Sequence, residues 1–191
     1  MRSRTPAIVL LGFLTAAWTR PMSGQEIDWS SLTFSVAGQW IFPQKGFGTY
    51  WNNGPGLSLY ADVPVNHPLS LFASAVVSPH SVAETPKKQQ IPPLVLVQLG
   101  GGFLVGTNHR ALFRVGVGIQ LVNNTFIFSG PAARPGFENA VESEFGIAFT
   151  GIITWKPDVL PPLQAILSYQ PILVGLEPVA VFSVGLGVRL E

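Results

Sequence analysis

Few residues of this 191-residue chain have side chains suited to chemistry, and the most suggestive group surrounds His80. An acyl-ester hydrolase needs a serine nucleophile, a histidine base and an acid that orients the histidine. Ser81 directly follows His80, and Glu84 lies nearby. Adjacent residues of a strand point to opposite faces, so His80 and Ser81 are poorly placed to hydrogen-bond to each other. The sequence therefore predicts no catalytic residue, and His67 and His109 are expected to lie in turns.

Four charged residues form the second candidate site. Asp62, Arg114, Glu144 and Arg189 all fall on the polar face of strand-like segments. If all four point into an enclosed interior, they form a buried charge network that fills it and fixes the strand register. The alternative is a gate or a small-ion path. We expect the packing role, because an unpaired buried charge costs several kcal/mol.

The segments that carry these residues alternate strictly between polar and apolar positions, which is the pattern of a β-strand. In Val179–Leu190 the polar face is small and glycine-rich, and the apolar face carries large aliphatic and aromatic residues. Eight strands are predicted: Leu32–Phe42, Gly56–Val65, Leu69–Ser78, Leu94–Val105, Ala111–Val122, Glu142–Trp155, Leu163–Val174 and Val179–Leu190. Within these spans no charged residue falls on the apolar face. A charge that faces lipid at mid-depth costs about 2–4 kcal/mol, so this sorting indicates an apolar exterior.

The composition favours the same architecture. Charged residues make up 11% of the chain, against roughly 25% in an average soluble protein. The mean hydropathy is +0.37, yet no apolar run approaches the roughly 20 residues of a membrane-spanning helix. The predicted fold is all-β, an eight-stranded antiparallel up-and-down transmembrane β-barrel. A soluble lipocalin-like barrel, the alternative, requires a more highly charged exterior.

Residues 1–24, Met1–Gly24, read as a secretory signal peptide, with Arg2 and Arg4 ahead of a short apolar core. Residues 25–191 are then the barrel domain. Cleavage after Gly24 leaves 8 basic and 10 acidic side chains, a formal charge of −2. That balance argues against a nucleic-acid partner. The absence of cysteine excludes disulfides, thiolate metal sites and a lipoprotein cysteine.

The connections alternate in length, which predicts short periplasmic turns and long outer loops, with both termini in the periplasm. The long connections carry side chains able to contact an extracellular ligand: Gln44, Lys45, Tyr50, Trp51, Asn52, Asn53, Lys87, Lys88 and Arg134. Tyr50 and Trp51 are equally suited to anchoring the loop at the membrane interface. No metal-ligand spacing, phosphate-binding glycine loop or nucleotide motif is present, so no cofactor or metal is predicted.

The chain from Leu32 to Leu190 resembles the small OmpA/OmpX-type outer-membrane β-barrels of Gram-negative bacteria. The carboxy-terminal assembly signal of that family is matched in spacing by Ser183, Gly185, Val188 and Leu190, although the chain ends in Leu190–Glu191 rather than in an aromatic residue. The resemblance implies export through the inner membrane to the outer membrane. It also implies contact with outer-membrane lipid and with the barrel-assembly machinery.

The resemblance leaves three functional interpretations. The first is a non-catalytic barrel with a structural, adhesive or surface-interaction role. The second is a transporter of small hydrophobic molecules, whose cavity would be lined by Leu94, Leu96, Leu104 and Ile166. The third and least favoured is a lipid A-modifying acyl hydrolase centred on His80. Enzymes of that kind carry a His-x-Ser arrangement that the segment around His80 lacks.

Overall fold

The computed structural model of the protein describes residues 27–84, 91–106, 112–128, 141–172 and 179–190. The predicted signal peptide lies outside these residues. Eight strands make up most of the described chain: β1 (Thr33–Gln44), β2 (Gly54–Asn66), β3 (Leu69–His80), β4 (Leu94–Gly106), β5 (Phe113–Phe128), β6 (Val141–Trp155), β7 (Leu163–Ile172) and β8 (Val179–Leu190). A 3-10 helix at Trp29–Ser31 precedes β1, with Asp28 as its N-cap.

The strands form a closed barrel in which each strand pairs with its neighbours in the sequence. All pairs are antiparallel, and β1 closes the sheet against β8 from Phe34↔Leu190 to Gln44↔Ala180. The predicted fold class is therefore confirmed. Closure leaves no unpaired strand edge, which is what a sheet in contact with lipid requires.

The side chains sort by face as the alternation predicts. Large apolar residues point outward and are exposed, among them Leu57, Phe103, Val117 and Leu186 at 58%, 51%, 63% and 73%. Their inward-facing neighbours are buried and mostly small or polar. This apolar exterior is called the outer belt below. An exposed apolar surface of that extent is unfavourable in water, so it is not expected on the outside of a soluble barrel.

Most strands lie within two residues of their predicted bounds, and two departures from the predicted pattern have a physical reason. β5 continues to Phe128, six residues beyond the predicted end at Val122. Asn123 and Thr125 face outward there, so the apolar alternation stops although pairing with β6 continues. β2 has a register shift between Pro64 and Asn66. A proline lacks the N–H that a ladder needs, and a bulge accommodates it.

The connection between β1 and β2 contains a helix that the sequence did not predict, α1 (Lys45–Tyr50). It begins at Lys45, whose φ of 55° turns the chain away from β1 and across the barrel end. Neither helix of the described residues is long and apolar enough to cross a membrane. The end of the barrel that carries α1 is called the loop end, and the opposite end, with the short β2–β3 turn, the turn end.

Candidate functional site

The interior of the barrel is filled by layers of side chains that alternate in polarity from the turn end to the loop end. On β1 the inward residues run Ser35, Ala37, Gln39, Ile41, and on β3 they run Ser70, Phe72, Ser74, Val76. At the turn end, the inward residues of β2, β5 and β8 are the charged Asp62, Arg114 and Arg189. The lumen therefore contains a charged layer, a lower apolar layer, an amide and hydroxyl layer, and an upper apolar layer.

The charged layer is organised around Asp62. Its Oδ1 lies 3.2 Å from Arg189 Nη1, and its Oδ2 lies 3.8 Å from Arg114 Nη1. The hydroxyl of Thr33 donates to Oδ1 at 3.0 Å. Arg114 Nη2 also lies 3.4 Å from the hydroxyl oxygen of Ser70. Buried charges require partners, and here one carboxylate lies within reach of both guanidinium groups that close the turn end.

Glu144, the fourth residue of the predicted network, lies apart from the other three. It pairs in register with Asn124, whereas Arg114 pairs with Thr154 ten residues further along β6. At about 3.3 Å per residue, that places Glu144 near the opposite end of the barrel. Glu144 lies on the same face of β6 as the buried Gly146 and Ala148, but alternation does not encode depth along the barrel axis.

The lower apolar layer consists of Ala37, Tyr60, Phe72, Leu104, Ile152 and Ile166. Above it, hydroxyl and amide groups satisfy each other across the lumen. Ser74 donates to Gln120 Oε1 at 2.7 Å, and Gln120 Nε2 donates to Thr150 Oγ1 at 3.2 Å. These bonds link β3, β5 and β6 through the interior, so this layer ties strands that do not all neighbour one another.

Three amides, called the amide triad below, close the upper side of that layer. Gln98 and Gln170 each donate from Nε2 to Asn124 Oδ1 at 2.9 Å, and Gln98 Nε2 also donates to Gln170 Oε1. Asn124 Nδ2 donates in turn to the backbone oxygen of Glu144 at 3.2 Å. The triad separates the two apolar layers of the lumen.

The upper apolar layer, called the upper compartment below, lies at the loop end. Its buried members are Ile41, Phe47, Val76, Leu94, Leu96, Phe126, Phe128, Ile172 and Val181. Phe47 comes from α1 and is only 3% exposed. Its ring centroid lies 5.1 Å from that of Trp51, 5.8 Å from that of Phe126 and 5.8 Å from that of His80. The helix thus inserts an aromatic side chain into the end of the barrel and covers it.

The lining predicted for a transport cavity does not come together. Leu94, Leu96, Leu104 and Ile166 all point inward and are buried, but the first two belong to the upper compartment and the last two to the lower apolar layer. The amide triad lies between the pairs. A cavity of about 10 Å³ touches Leu104, Arg114, Thr154 and Arg189, scarcely room for one water molecule.

The structure pairs His80 with Ser78 rather than with Ser81. His80 Nε2 lies 3.1 Å from Ser78 Oγ, and Nδ1 lies 2.9 Å from the backbone oxygen of Asn52. Ser78 Oγ also donates to the Pro55 carbonyl at 2.7 Å. Residues i and i+2 of a strand share a face, and Ser78 and His80 have this spacing. The sequence therefore held a signal for the Ser78–His80 pair, but the prediction considered only Ser81. Both side chains are buried, and the group that orients His80 is a carbonyl rather than a carboxylate.

The residues of the predicted assembly signal lie on both faces of β8. Ser183 and Gly185 face the lumen, while Val188 and Leu190 face outward. Their role as an assembly signal stays a prediction.

The predicted turn and loop residues lie at the two ends of the barrel. His67 lies in the β2–β3 turn. Exposed at the loop end are Gln44, Lys45, Asn52 and Asn53, with Trp51 half-buried. Lys87, Lys88, His109 and Arg134 lie outside the described residues. The described residues contain no cluster of three or more His, Asp or Glu side chains that could hold a metal.

A closed eight-stranded barrel with an apolar exterior and a polar, filled lumen defines the class of this protein: a small outer-membrane β-barrel. The predicted resemblance to OmpA/OmpX-type barrels is confirmed at the level of the fold, and the outer belt is consistent with the predicted location in the outer membrane. No protein-family model and no curated protein sequence matches the chain.

Among solved structures, the chain is similar to Neisserial surface protein A, with a TM-score of 0.63 and 14% identity over 84% of this chain and 97% of that one. It also aligns with Ail, the attachment invasion locus protein of Yersinia pestis, at a TM-score of 0.49 and 14% identity over 83% and 97% of the two chains. The N-terminal barrel of Pseudomonas aeruginosa OprF aligns at 0.44, with 10% identity over 82% and 97%.

Proposed function

We propose that this outer-membrane barrel is non-catalytic and serves a structural, adhesive or surface-interaction role. The observation that carries the proposal is the filled lumen. Two apolar layers, a hydrogen-bonded polar layer and an ion-paired layer occupy it between α1 and the turn end. A barrel filled by its own side chains acts through its exposed ends rather than through a passage.

The loop end is the surface suited to such a role. The connection after β1 is fastened to the one after β3, because Ala83 N–H donates to the Tyr50 carbonyl at 3.0 Å and Asn52 N–H to the Ser81 carbonyl at 2.9 Å. Tyr50 and Asn53 are exposed on this fastened surface. Aromatic and amide groups held by a rigid scaffold are typical of binding loops. Because outer-membrane barrels have short periplasmic turns and long outer loops, we infer that this end faces outside the cell.

The purified full-length barrel reconstituted in a planar bilayer tests the filled lumen. We expect no ion conductance above the bilayer baseline, with an open porin as the positive control. Discrete conductance steps in the native protein would contradict the proposal and favour a channel or transporter.

Cell adhesion tests the surface role separately. Cells that display the native barrel are compared with cells that display a Tyr50→Ser, Asn53→Ala variant, for adhesion to immobilised extracellular matrix. Equal heat-modifiable gel mobility of the two barrels would show that both are folded. We expect weaker adhesion by the variant. Equal adhesion by the two kinds of cell would show that the surface around Tyr50 and Asn53 does not mediate adhesion.

The hydrolase interpretation has one observation in its favour, the hydrogen-bonded pair of Ser78 and His80. Ser78 has no exposed surface, however, and Phe47 packs against the His80 ring, so a substrate carbonyl cannot reach the hydroxyl while Phe47 is in place. The group that orients His80 is also a carbonyl rather than the carboxylate of a hydrolase triad. Mass spectrometry of lipid A from cells with the native barrel or the Ser78→Ala variant tests it. We expect identical acylation in both, whereas acyl loss that depends on Ser78 would establish catalysis.

We also infer that lipid surrounds the outer belt and that β8 is read by the barrel-assembly machinery. The outward Val188 and Leu190 lie next to β1 at the seam that closes the barrel. Comparison of Leu190→Phe with Leu190→Asp by the yield of folded barrel in outer membranes tests the second inference. We expect the aromatic variant to equal or exceed the native yield and the acidic variant to fall below it. Equal yields would contradict a signal at this position.

A further inference from the structure

The upper compartment differs from the rest of the lumen because one of its side chains is not supplied by the barrel wall. Of its nine buried apolar residues, eight lie on strands and the ninth, Phe47, lies on α1. Among the described residues, Trp51 and Val179 pack against the same cluster from its edge. Removing Phe47 from the barrel end would therefore open the compartment without separating any pair of strands.

The helix that carries Phe47 is weakly built. It has six residues, two of them glycine, and its N-cap Gln44 makes no side-chain capping bond. Isolated helices shorter than about 12 residues are marginal in water. Lys45 at its start has a φ of 55°, a region that a lysine adopts at an energetic cost. The segment is held at its start by the bridge from Lys45 to Val179 and at and just beyond its end by backbone bonds from Tyr50 and Asn52 to the connection after β3. Between these points, the main contact of α1 with the lumen is the packing of Phe47.

The space that the Phe47 side chain fills, called the ring site below, is shaped for an aromatic ring. The Phe47 ring meets the rings of Phe126 and His80 in edge-to-face arrangements, at interplanar angles of 76° and 64°, and Trp51 lies tilted beside it at 46°. Edge-to-face contacts are favoured between aromatic rings beyond their buried area. The imidazole of His80, bonded to Ser78, adds a polar group at the edge of an otherwise apolar site.

We propose that the ring site binds a small phenolic molecule, which enters from the loop end and replaces the Phe47 ring as α1 moves away. The phenol ring takes the edge contacts with Phe126 and His80, and its hydroxyl takes a hydrogen bond at the polar edge formed by His80 and Ser78. The amide triad lies beneath the compartment, so the ligand enters and leaves by the same end. This adds a ligand site to the proposed scaffold and does not require the barrel to conduct.

Fluorine NMR of the full-length barrel labelled with 5-fluorotryptophan tests the site, with phenol itself as the probe. The Trp51 resonance is assigned by its loss in Trp51→Phe. We expect phenol to shift the Trp51 resonance saturably. Trp40 and Trp155 on the outer belt report phenol dissolved in the detergent and should shift without saturation. A Trp51 response that does not saturate would overturn the proposal.

An engineered disulfide tests whether α1 must move. The chain has no native cysteine, and Lys45 and Val179 form an antiparallel bridge, so Lys45→Cys with Val179→Cys places two thiols within bonding reach. We expect the oxidised variant to lose the saturable shift and the reduced variant to regain it, with each single variant as control. A shift of equal size in the oxidised protein would contradict entry through α1.

Substitution of Phe47 provides the affinity test. If the open form is about 1–10% populated, Phe47→Ala removes the need for opening and lowers the apparent dissociation constant for phenol about 10- to 100-fold. Phe47→Leu serves if the alanine variant fails to fold. Saturable binding by these variants but not by the native protein would show that the native ring site stays closed, which would overturn the proposal.

Discussion

Asp62 is the residue that holds the charged layer together, because its two carboxylate oxygens face two guanidinium groups. Its side chain and those of both arginines are largely buried. The residue lies on β2, while Arg114 and Arg189 lie on β5 and β8. One carboxylate therefore links three strands that are not neighbours around the barrel.

Asp62→Asn is expected to lower the free energy of unfolding by about 3–5 kcal/mol, since it leaves buried guanidinium groups without their carboxylate. Glu144→Gln makes the same chemical change near the loop end, outside the network. That control should lie within about 0.5 kcal/mol of the native barrel. Urea unfolding in phospholipid vesicles measures both, and equal effects would contradict a network centred on Asp62. Arg114→Ala is also expected to destabilise the barrel.

Two adjacent glycines of β4 provide a second test at this scale. A Cβ atom at Gly102 would lie 2.0 Å from the backbone oxygen of Ile119 and 2.6 Å from Cα of Gln120. At Gly101 the nearest atom to an added Cβ would be the Phe72 oxygen at 4.0 Å. We therefore expect Gly102→Ala to destabilise by about 1–3 kcal/mol through overpacking. Gly101→Ala should be neutral or stabilising by up to about 1 kcal/mol.

The matching experiment compares the urea midpoints of the two alanine variants in the same vesicles. If Gly101→Ala lowers the urea midpoint more than Gly102→Ala does, the close approach of β4 and β5 at Gly102 is not what excludes a larger residue there. The two variants differ by one position and by the face of the strand, so the general cost of altering a glycine cancels.

Period-two alternation predicted which face each charged residue occupies, because side-chain direction follows from position along a strand. Depth was not predictable. Strands in a barrel are tilted and staggered, so residues at similar positions in different strands lie at different heights. Alternation therefore cannot separate Glu144 from Asp62, although they lie near opposite ends of the barrel. Alternation does place Ser78 on the same face as His80, whereas Ser81 lies on the opposite face.

At the scale of elements, the strands were predictable and α1 was not. Residues 45–50 read K-G-F-G-T-Y, with two glycines and no apolar repeat of helical spacing. Local propensity opposes a helix there, and the helix depends on the burial of Phe47 in the lumen. Such a tertiary cause cannot be read from the segment itself. The predicted end of β5 falls six residues too early for a different reason. The outward face of β5 becomes polar at Asn123 and Thr125, so the alternation ends before the strand does.

That change along β5 yields a prediction about membrane depth. Ile119 lies on the apolar stretch of the outward face, while Ile127 lies beyond outward-facing Asn123 and Thr125. Ile119→Arg should cost about 2–4 kcal/mol, and Ile127→Arg about 0–1 kcal/mol, because the cost of arginine on the lipid face falls toward the interface. Equilibrium folding into phospholipid vesicles measures both. Equal costs would contradict the placement of the outer belt between these positions.

At the scale of the whole molecule, closure of the barrel followed from eight alternating segments, but the layered filling did not. Inward-facing residues were predicted to be small and polar, as Gly, Ser, Thr and Gln are. The upper and lower apolar layers hold more large side chains than that expectation and the predicted cavity lining provide for, with Phe126 and Ile152 also buried inside. Packing an interior to high density requires some large side chains, and which strands supply them depends on the stagger of the closed sheet.

The layers lie in series, so each should block the lumen without the others. Phe47→Ala opens only the upper compartment, and the amide triad and the charged layer remain beneath it. Arg114→Ala disturbs only the turn end. We expect neither variant to conduct ions in a planar bilayer, because an ion that enters from one end meets an intact layer before it reaches the other. Conductance by Phe47→Ala alone would mean that α1 is the gate of a channel and that the layers below it are permeable.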